Sequence, residues 1–117
     1  MVYNCVKSAR EATMKIYNKL VRDNIPQIIE KSGKTCKTRV LNDEEYVATL
    51  NAKLSEELGE YLQSGEVVEL ADIVEVALAL ACAKGVTNDQ FDTIRKEKAS
   101  KNGAFQQKLF LEWVDGD

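Results

Sequence analysis

Three features of this 117-residue chain predict an all-α helical bundle of about four helices with a small two-stranded β appendage. Residues 42–63 repeat apolar side chains at three- and four-residue steps: Val47, Leu50, Leu54, Leu58 and Tyr61. That is the period of an amphipathic helix. Residues 66–84 become apolar nearly all round from Ile73 onward, as a central bundle helix does. Only two short segments alternate with the period of a strand, 34–41 and 104–114.

Taken in order, residues 1–13 show no cap, turn or sustained period and read as an extension to the working domain at 14–117. Asp23 or Asn24 can cap a first helix with Pro26 in its first turn, where the missing N–H costs little. That helix is expected to end near Lys31, at Ser32-Gly33. Asn42 with Glu45 three residues on forms a capping-box pattern that opens the second helix. Gly65 lets the chain reverse, and Gly85 ends the third helix. Thr87 with Gln90 repeats the capping box and opens a fourth helix to about Lys101. In the tail, Phe105, Leu109, Leu111 and Trp113 share one parity, so a strand pairing with 37–41 is expected. Such a ribbon is marginal alone and should lie on the helices. Trp113, Tyr17, Tyr46 and Tyr61 are expected to pack in the core, and Cys82, within an apolar run, to be a buried small side chain.

Composition removes several function classes. A formal net charge of −3 provides no broad positive field for nucleic acid. The absence of histidine excludes imidazole ligands, histidine bases and Ser-His or Cys-His nucleophiles. Cys5, Cys36 and Cys82 are far apart and form no CxxC, which argues against zinc and thioredoxin-like chemistry. The longest apolar run, 76–83, is too short to span a bilayer, and no secretory signal is visible, so a cytoplasmic setting is expected.

The remaining chemistry concentrates in residues 56–72, EELGEYLQSGEVVELAD. Glu57 and Glu60 sit three apart, as do Glu69 and Asp72. At about 100° per residue, Glu57 lies about 60° from the centre of the apolar stripe, Glu60 about 120°, and Glu56 near the back. Glu69 projects between Val76 and Leu80, and Asp72 lies on the same flank. These acids are either a solvated helix face or a cation site. Their apolar surroundings favour the second, because an unpaired buried carboxylate costs several kcal/mol. With oxygen the sole donor type, the ion expected is Mg²⁺ or Mn²⁺.

The layout resembles the all-α nucleoside triphosphate pyrophosphohydrolase superfamily, whose members include MazG-like proteins and phosphoribosyl-ATP pyrophosphohydrolases. The signature EExxE followed by ExxD is matched by Glu56-Glu57-Leu58-Gly59-Glu60 and Glu69-Leu70-Ala71-Asp72. YNKLVRDNIPQIIEKSG at 17–33 and KEKASKNGAFQQKLFLEWV at 96–114 resemble the phosphoribosyl-ATP pyrophosphohydrolase-like branch. The gap of eight residues at 61–68 is shorter than in many MazG proteins, and Gly103-Ala104 stands where relatives often have two glycines.

The resemblance implies hydrolysis of a nucleoside triphosphate to monophosphate and pyrophosphate, with Glu57, Glu60, Glu69 and Asp72 as metal ligands. It makes Glu56 and Glu57 the catalytic carboxylates, Glu56 orienting a ligand or the attacking water. Phosphate-binding candidates are Lys19 and Arg22 near the start, and Lys98, Lys101 and Asn102 at the end of the fourth helix. The alternatives are the phosphoribosyl-ATP step itself and a non-catalytic nucleotide-binding or assembly module. Open apolar faces in so short a chain predict a homo-oligomer, most simply a dimer.

Overall fold

The computed structural model describes residues 14–116. The extension expected at 1–13 lies outside the described residues. The chain divides into two units, one ending at Leu41 and the other running from Asn42 onward.

The first unit contains one short helix, α1 (Ile25–Lys31), entered through Asn24 with Pro26 in its first turn. Pro26 has no N–H to leave unsatisfied there, and its ring presets the helical φ. Ser32 caps the other end with its backbone N–H, and its hydroxyl donates to the Ile29 carbonyl at 2.6 Å. Tyr17, expected in the core, is exposed; its ring instead meets Lys15 Nζ at 5.2 Å from the centroid. An aromatic face attracts a cation without burial.

The second unit holds α2 (Asp43–Ser64), α3 (Val67–Ala83) and α4 (Asn88–Asn102). Both predicted capping boxes form. Asn42 Oδ1 accepts from Glu45 N–H at 2.8 Å, and Glu45 returns a carboxylate oxygen to Asn42 N–H at 3.3 Å. Thr87 and Gln90 make the same reciprocal pair at 3.1 and 2.9 Å. Each box satisfies two N–H groups that a helix start leaves without intrahelical partners.

The reversal between α2 and α3 takes two residues. Gly65 adopts φ 68°, a left-handed conformation that costs glycine little, and donates to Tyr61 O at 2.7 Å. Ser64 Oγ accepts from Glu66 N–H at 3.1 Å. So tight a turn makes α2 and α3 antiparallel neighbours, and they share the most extensive packing in the unit. α4 packs more lightly, on α3. Leu50, Val76 and Ala81 are the buried apolar residues among those described; Leu50, at 3% exposure, is the most enclosed.

Four further expectations are corrected. No strand occurs among the described residues, so the β appendage is not supported. In the tail, Lys108 N–H reaches back to Phe105 O at 3.4 Å and Lys108 takes φ 60°, so a turn breaks the alternating run. Alternation is permission for a strand, but the ladder also needs a partner. Second, α3 is not enclosed on all sides: Val67, Val68, Leu70 and Val74 are exposed, because α2 and α4 cover only part of its circumference. Third, Cys82 is exposed and its thiol lies 3.4 Å from Asn88 Oδ1. Fourth, Trp113 is exposed with the rest of the tail. Tyr46 and Tyr61 are half-buried on α2.

A candidate metal centre on the α2–α3 hairpin

The acidic residues are carried by the two best-packed helices. α2 places Glu57 one turn before Glu60, and α3 places Glu69 one turn before Asp72. Because the hairpin is antiparallel and its turn is short, the second half of α2 faces the first half of α3. Glu57, Glu69 and Asp72 meet across this interface, each offering a carboxylate oxygen within 4.8 Å of the others'. Glu57 is buried, at 6% exposure, while Glu69 and Asp72 are half-buried.

The charge balance at Glu57 is uneven. Lys53, one turn earlier on α2, holds its Oε1 at 3.3 Å and reaches Glu56 Oε1 at 3.8 Å. Oε2 is buried and accepts no hydrogen bond. A buried carboxylate oxygen without a donor costs about 1–3 kcal/mol, and more when charged. Glu57 also interacts with the Glu60 carboxyl, which can donate only when protonated. A shared hydrogen bond with Glu57 is the main reason the Glu60 pKa is raised. The Glu57 charge comes next, then partial desolvation, then the charges of Glu69 and Glu56. The group is therefore a cluster of like charges in which Lys53 compensates Glu57 and Glu56.

Of the predicted ligands, Glu57, Glu69 and Asp72 come together. Glu60 is exposed beside Glu57 and stands outside the three-residue cluster. Glu56 is more exposed than Glu57 and shares Lys53, consistent with its position away from the apolar stripe. Lys98, Lys101 and Asn102 are exposed at the end of α4. Lys19 and Arg22 are exposed in the first unit. Lys53 is the site residue that composition and motif did not single out. Its signal was the spacing to Glu56 and Glu57, three and four residues on, which places all three on neighbouring positions of one helix.

The donor set fits a hard divalent cation. It is all oxygen, it comes from two rigid helices, and one oxygen is desolvated without a partner. Glu57, Glu69 and Asp72 would hold the ion, and Glu60 is one turn from Glu57. Two hollows in the same unit lie elsewhere, toward the α3–α4 turn. One, of about 360 Å³, has apolar walls that include Leu54, Ala77, Leu80 and Phe91; the other, of about 610 Å³, is lined by residues including Asp89, Gln90 and Thr93.

No family profile matches this chain, and no solved structure matches it. A stretch of 41 residues is 56% identical to an uncharacterized protein of Mycolicibacterium smegmatis (strain ATCC 700084 / mc(2)155). That stretch is 35% of this chain and spans 42% of the relative's length.

Proposed function

We propose that this chain is a Mg²⁺-dependent pyrophosphohydrolase that cleaves a nucleoside triphosphate, standard or modified, to a monophosphate and pyrophosphate. The supporting observation is the convergence of Glu57, Glu69 and Asp72, each with a carboxylate oxygen within 4.8 Å of the others', where Glu57 also has one buried oxygen without a hydrogen-bond partner. Three carboxylates at that spacing repel one another, and the charge that best relieves them is a compact divalent ion, Mg²⁺ or Mn²⁺. When bound, such an ion neutralises phosphate charge and makes a coordinated water more acidic.

The remaining roles belong to the side chains. Glu57, Glu69 and Asp72 hold the cation on fixed helices. Glu60 adds a carboxyl one turn on, and Glu56, on the wetter side of α2, orients an attacking water. Lys98, Lys101 and Asn102 provide exposed donors for phosphate oxygens, and Lys19 and Arg22 do so on the first unit's surface. The protein works as a homo-oligomer in the cytoplasm; exposed Val67, Val68 and Val74 on α3 support association. No described helix is long and apolar enough to cross a membrane.

A second reading is favoured by Lys53, which already gives Glu57 a cation. In that reading the cluster is a charge-compensated part of a non-catalytic nucleotide-binding or assembly module. The two readings separate in a pyrophosphate-release assay with Mg²⁺ across a nucleotide panel that includes phosphoribosyl-ATP. The hydrolase reading expects metal-dependent release that falls at least 100-fold in Glu69→Gln and in Asp72→Asn, while helical content is unchanged. Nucleotide binding without release from any member of the panel would leave the module reading.

A further inference from the structure

The two carboxylate oxygens of Glu57 meet different surroundings. Oε1 lies 3.3 Å from Lys53 Nζ, while Oε2 is buried and accepts no hydrogen bond. Glu57 is 6% exposed, so bulk water does not serve that second oxygen. Lys53 is itself well covered, with 20% of its side chain exposed, and its ammonium has a second anchor 3.8 Å away at Glu56 Oε1. Helix stability does not call for this pair. With the lysine four residues before the glutamate, the order is the less favourable one on an isolated helix. What the lysine does here is occupy one oxygen of a buried carboxylate.

An oxygen already bonded to an ammonium is a poor one for chelation. A cation that reaches Glu57 finds Oε2 open and Oε1 taken, so it meets one oxygen rather than both. Ions of equal charge respond differently to that restriction. Mg²⁺ takes about six oxygens in a near-octahedral array at roughly 2.0–2.1 Å and keeps several waters. Ca²⁺ takes about six to eight at roughly 2.3–2.6 Å and commonly grips a carboxylate through both oxygens. Glu57, Glu69 and Asp72 offer one oxygen each to a common point. Those ligands leave about half of an octahedral shell for water or phosphate oxygens. They fill less than half of a seven- or eight-fold shell unless a carboxylate opens both its oxygens to the ion.

We propose that Lys53 is a positioning residue that confines Glu57 to a one-oxygen contact, and that this restraint makes the cluster select Mg²⁺ or Mn²⁺ over Ca²⁺. Lys53 acts through Glu57, as groups bonded to a metal ligand orient that ligand and tune the ion it takes. The inference rests on the metal-centre reading of the cluster and is independent of whether the bound ion supports hydrolysis. The lysine's charge repels every divalent ion alike, so its removal strengthens the binding of both ions. The ratio of their affinities is different. It moves only if the one-oxygen restraint is lost.

Calorimetric titration of the full chain with MgCl₂ and, separately, with CaCl₂ at neutral pH tests it, on the parent, on Lys53→Met and on Lys53→Arg. No nucleotide is present, so affinity is read and not turnover. The parent is expected to bind Mg²⁺ about tenfold more tightly than Ca²⁺, or better. Lys53→Met, which keeps the stem and removes the ammonium, is expected to bring the two affinities level or to reverse them. Lys53→Arg keeps a charged donor for Oε1 and is expected to retain the preference. A destabilised Lys53→Met still reports, because the ion that binds the folded state more tightly raises its melting temperature further. A ratio that Lys53→Met leaves unchanged, a preference that Lys53→Arg loses as fully as Lys53→Met, or a parent that takes Ca²⁺ as tightly as Mg²⁺ would overturn the role of Lys53 and leave the metal centre standing. A parent that binds neither ion overturns the metal centre, and this inference with it.

Discussion

The hairpin of α2 and α3 and the segment that follows it handle opposite problems. In the hairpin, a carboxylate is taken out of water: Glu57 is buried with one oxygen on Lys53 and the other without a donor. In the tail, apolar side chains are left in water, with Phe105, Leu109 and Trp113 all exposed. Neither arrangement lowers the free energy of a solitary chain. A polar atom inside and an apolar patch outside are the two informative departures from ordinary burial. The first is a carboxylate that Lys53 compensates on one oxygen only, and the second is apolar surface left exposed. The comparison separates acids gathered by two packed helices from an apolar surface that no described element covers.

The sharpest test of the difference is a pair of leucine truncations. Leu50→Ala, inside the hairpin, is expected to lower unfolding stability by about 2–5 kcal/mol, because the lost contacts leave a cavity that helices cannot close. Leu109→Ala, in the tail, is expected to change it by no more than about 0.5 kcal/mol when read where the chain is monomeric. Denaturant melts of both variants decide it; equal losses would mean the tail is part of the monomer's core.

A smaller effect is expected at the ion pair. Lys53→Met removes the cation held 3.3 Å from Glu57, and the uncompensated buried charge should cost about 1–3 kcal/mol at neutral pH. Added Mg²⁺ is expected to recover most of the loss, since a ligand that binds the folded state stabilises it by mass action. Thermal melts with and without the ion check this. A Lys53→Met protein as stable as the parent, with no response to Mg²⁺, would show that the cluster needs no cation at all.

The smallest effect concerns pH. The Glu60 carboxyl titrates above its ordinary value of 4.5, chiefly through its hydrogen bond with Glu57. The folded state therefore holds that proton more tightly than the unfolded chain. Its stabilising contribution is complete below the ordinary glutamate pKa and disappears as pH rises through the raised value. Glu60→Gln should flatten the stability profile across that acidic window and leave the parent's slope unchanged elsewhere. Melts from acid to neutral pH report the slope directly. An unaltered slope would place the proton on another member of the cluster.

Much of the helical layout was legible because its signals are local. Asn42 with Glu45 and Thr87 with Gln90 close their capping boxes within four residues, and Gly65 turns the chain through its own backbone freedom. The tilt of the acids was legible for a similar reason. Helical geometry put Glu57 nearer the apolar stripe than Glu60, and Glu57 is buried while Glu60 is exposed. What failed depended on partners. Alternation in 104–114 suggested a strand, but no ladder forms and Lys108 turns the chain. The apolar run around Cys82 suggested burial on every side, but α3 is covered on part of its surface. Lys53 was passed over because a lysine between apolar positions looks like any solvated helix residue until the burial of Glu57 is known.

By itself, then, the sequence determined where each helix starts and stops, the donor chemistry at the acidic cluster, and which acids lean toward the core. Those follow from dihedral preferences, side-chain caps and the helical repeat, all of which act over a few residues. Tertiary structure alone decided that Glu57, Glu69 and Asp72 converge within 4.8 Å, that Lys53 holds one oxygen of Glu57, and that the tail's apolar side chains stay uncovered. Each of those depends on how far apart two helix faces come to rest, or on whether any face arrives at all. That is set by the packing of surfaces distant in sequence, which no local period contains.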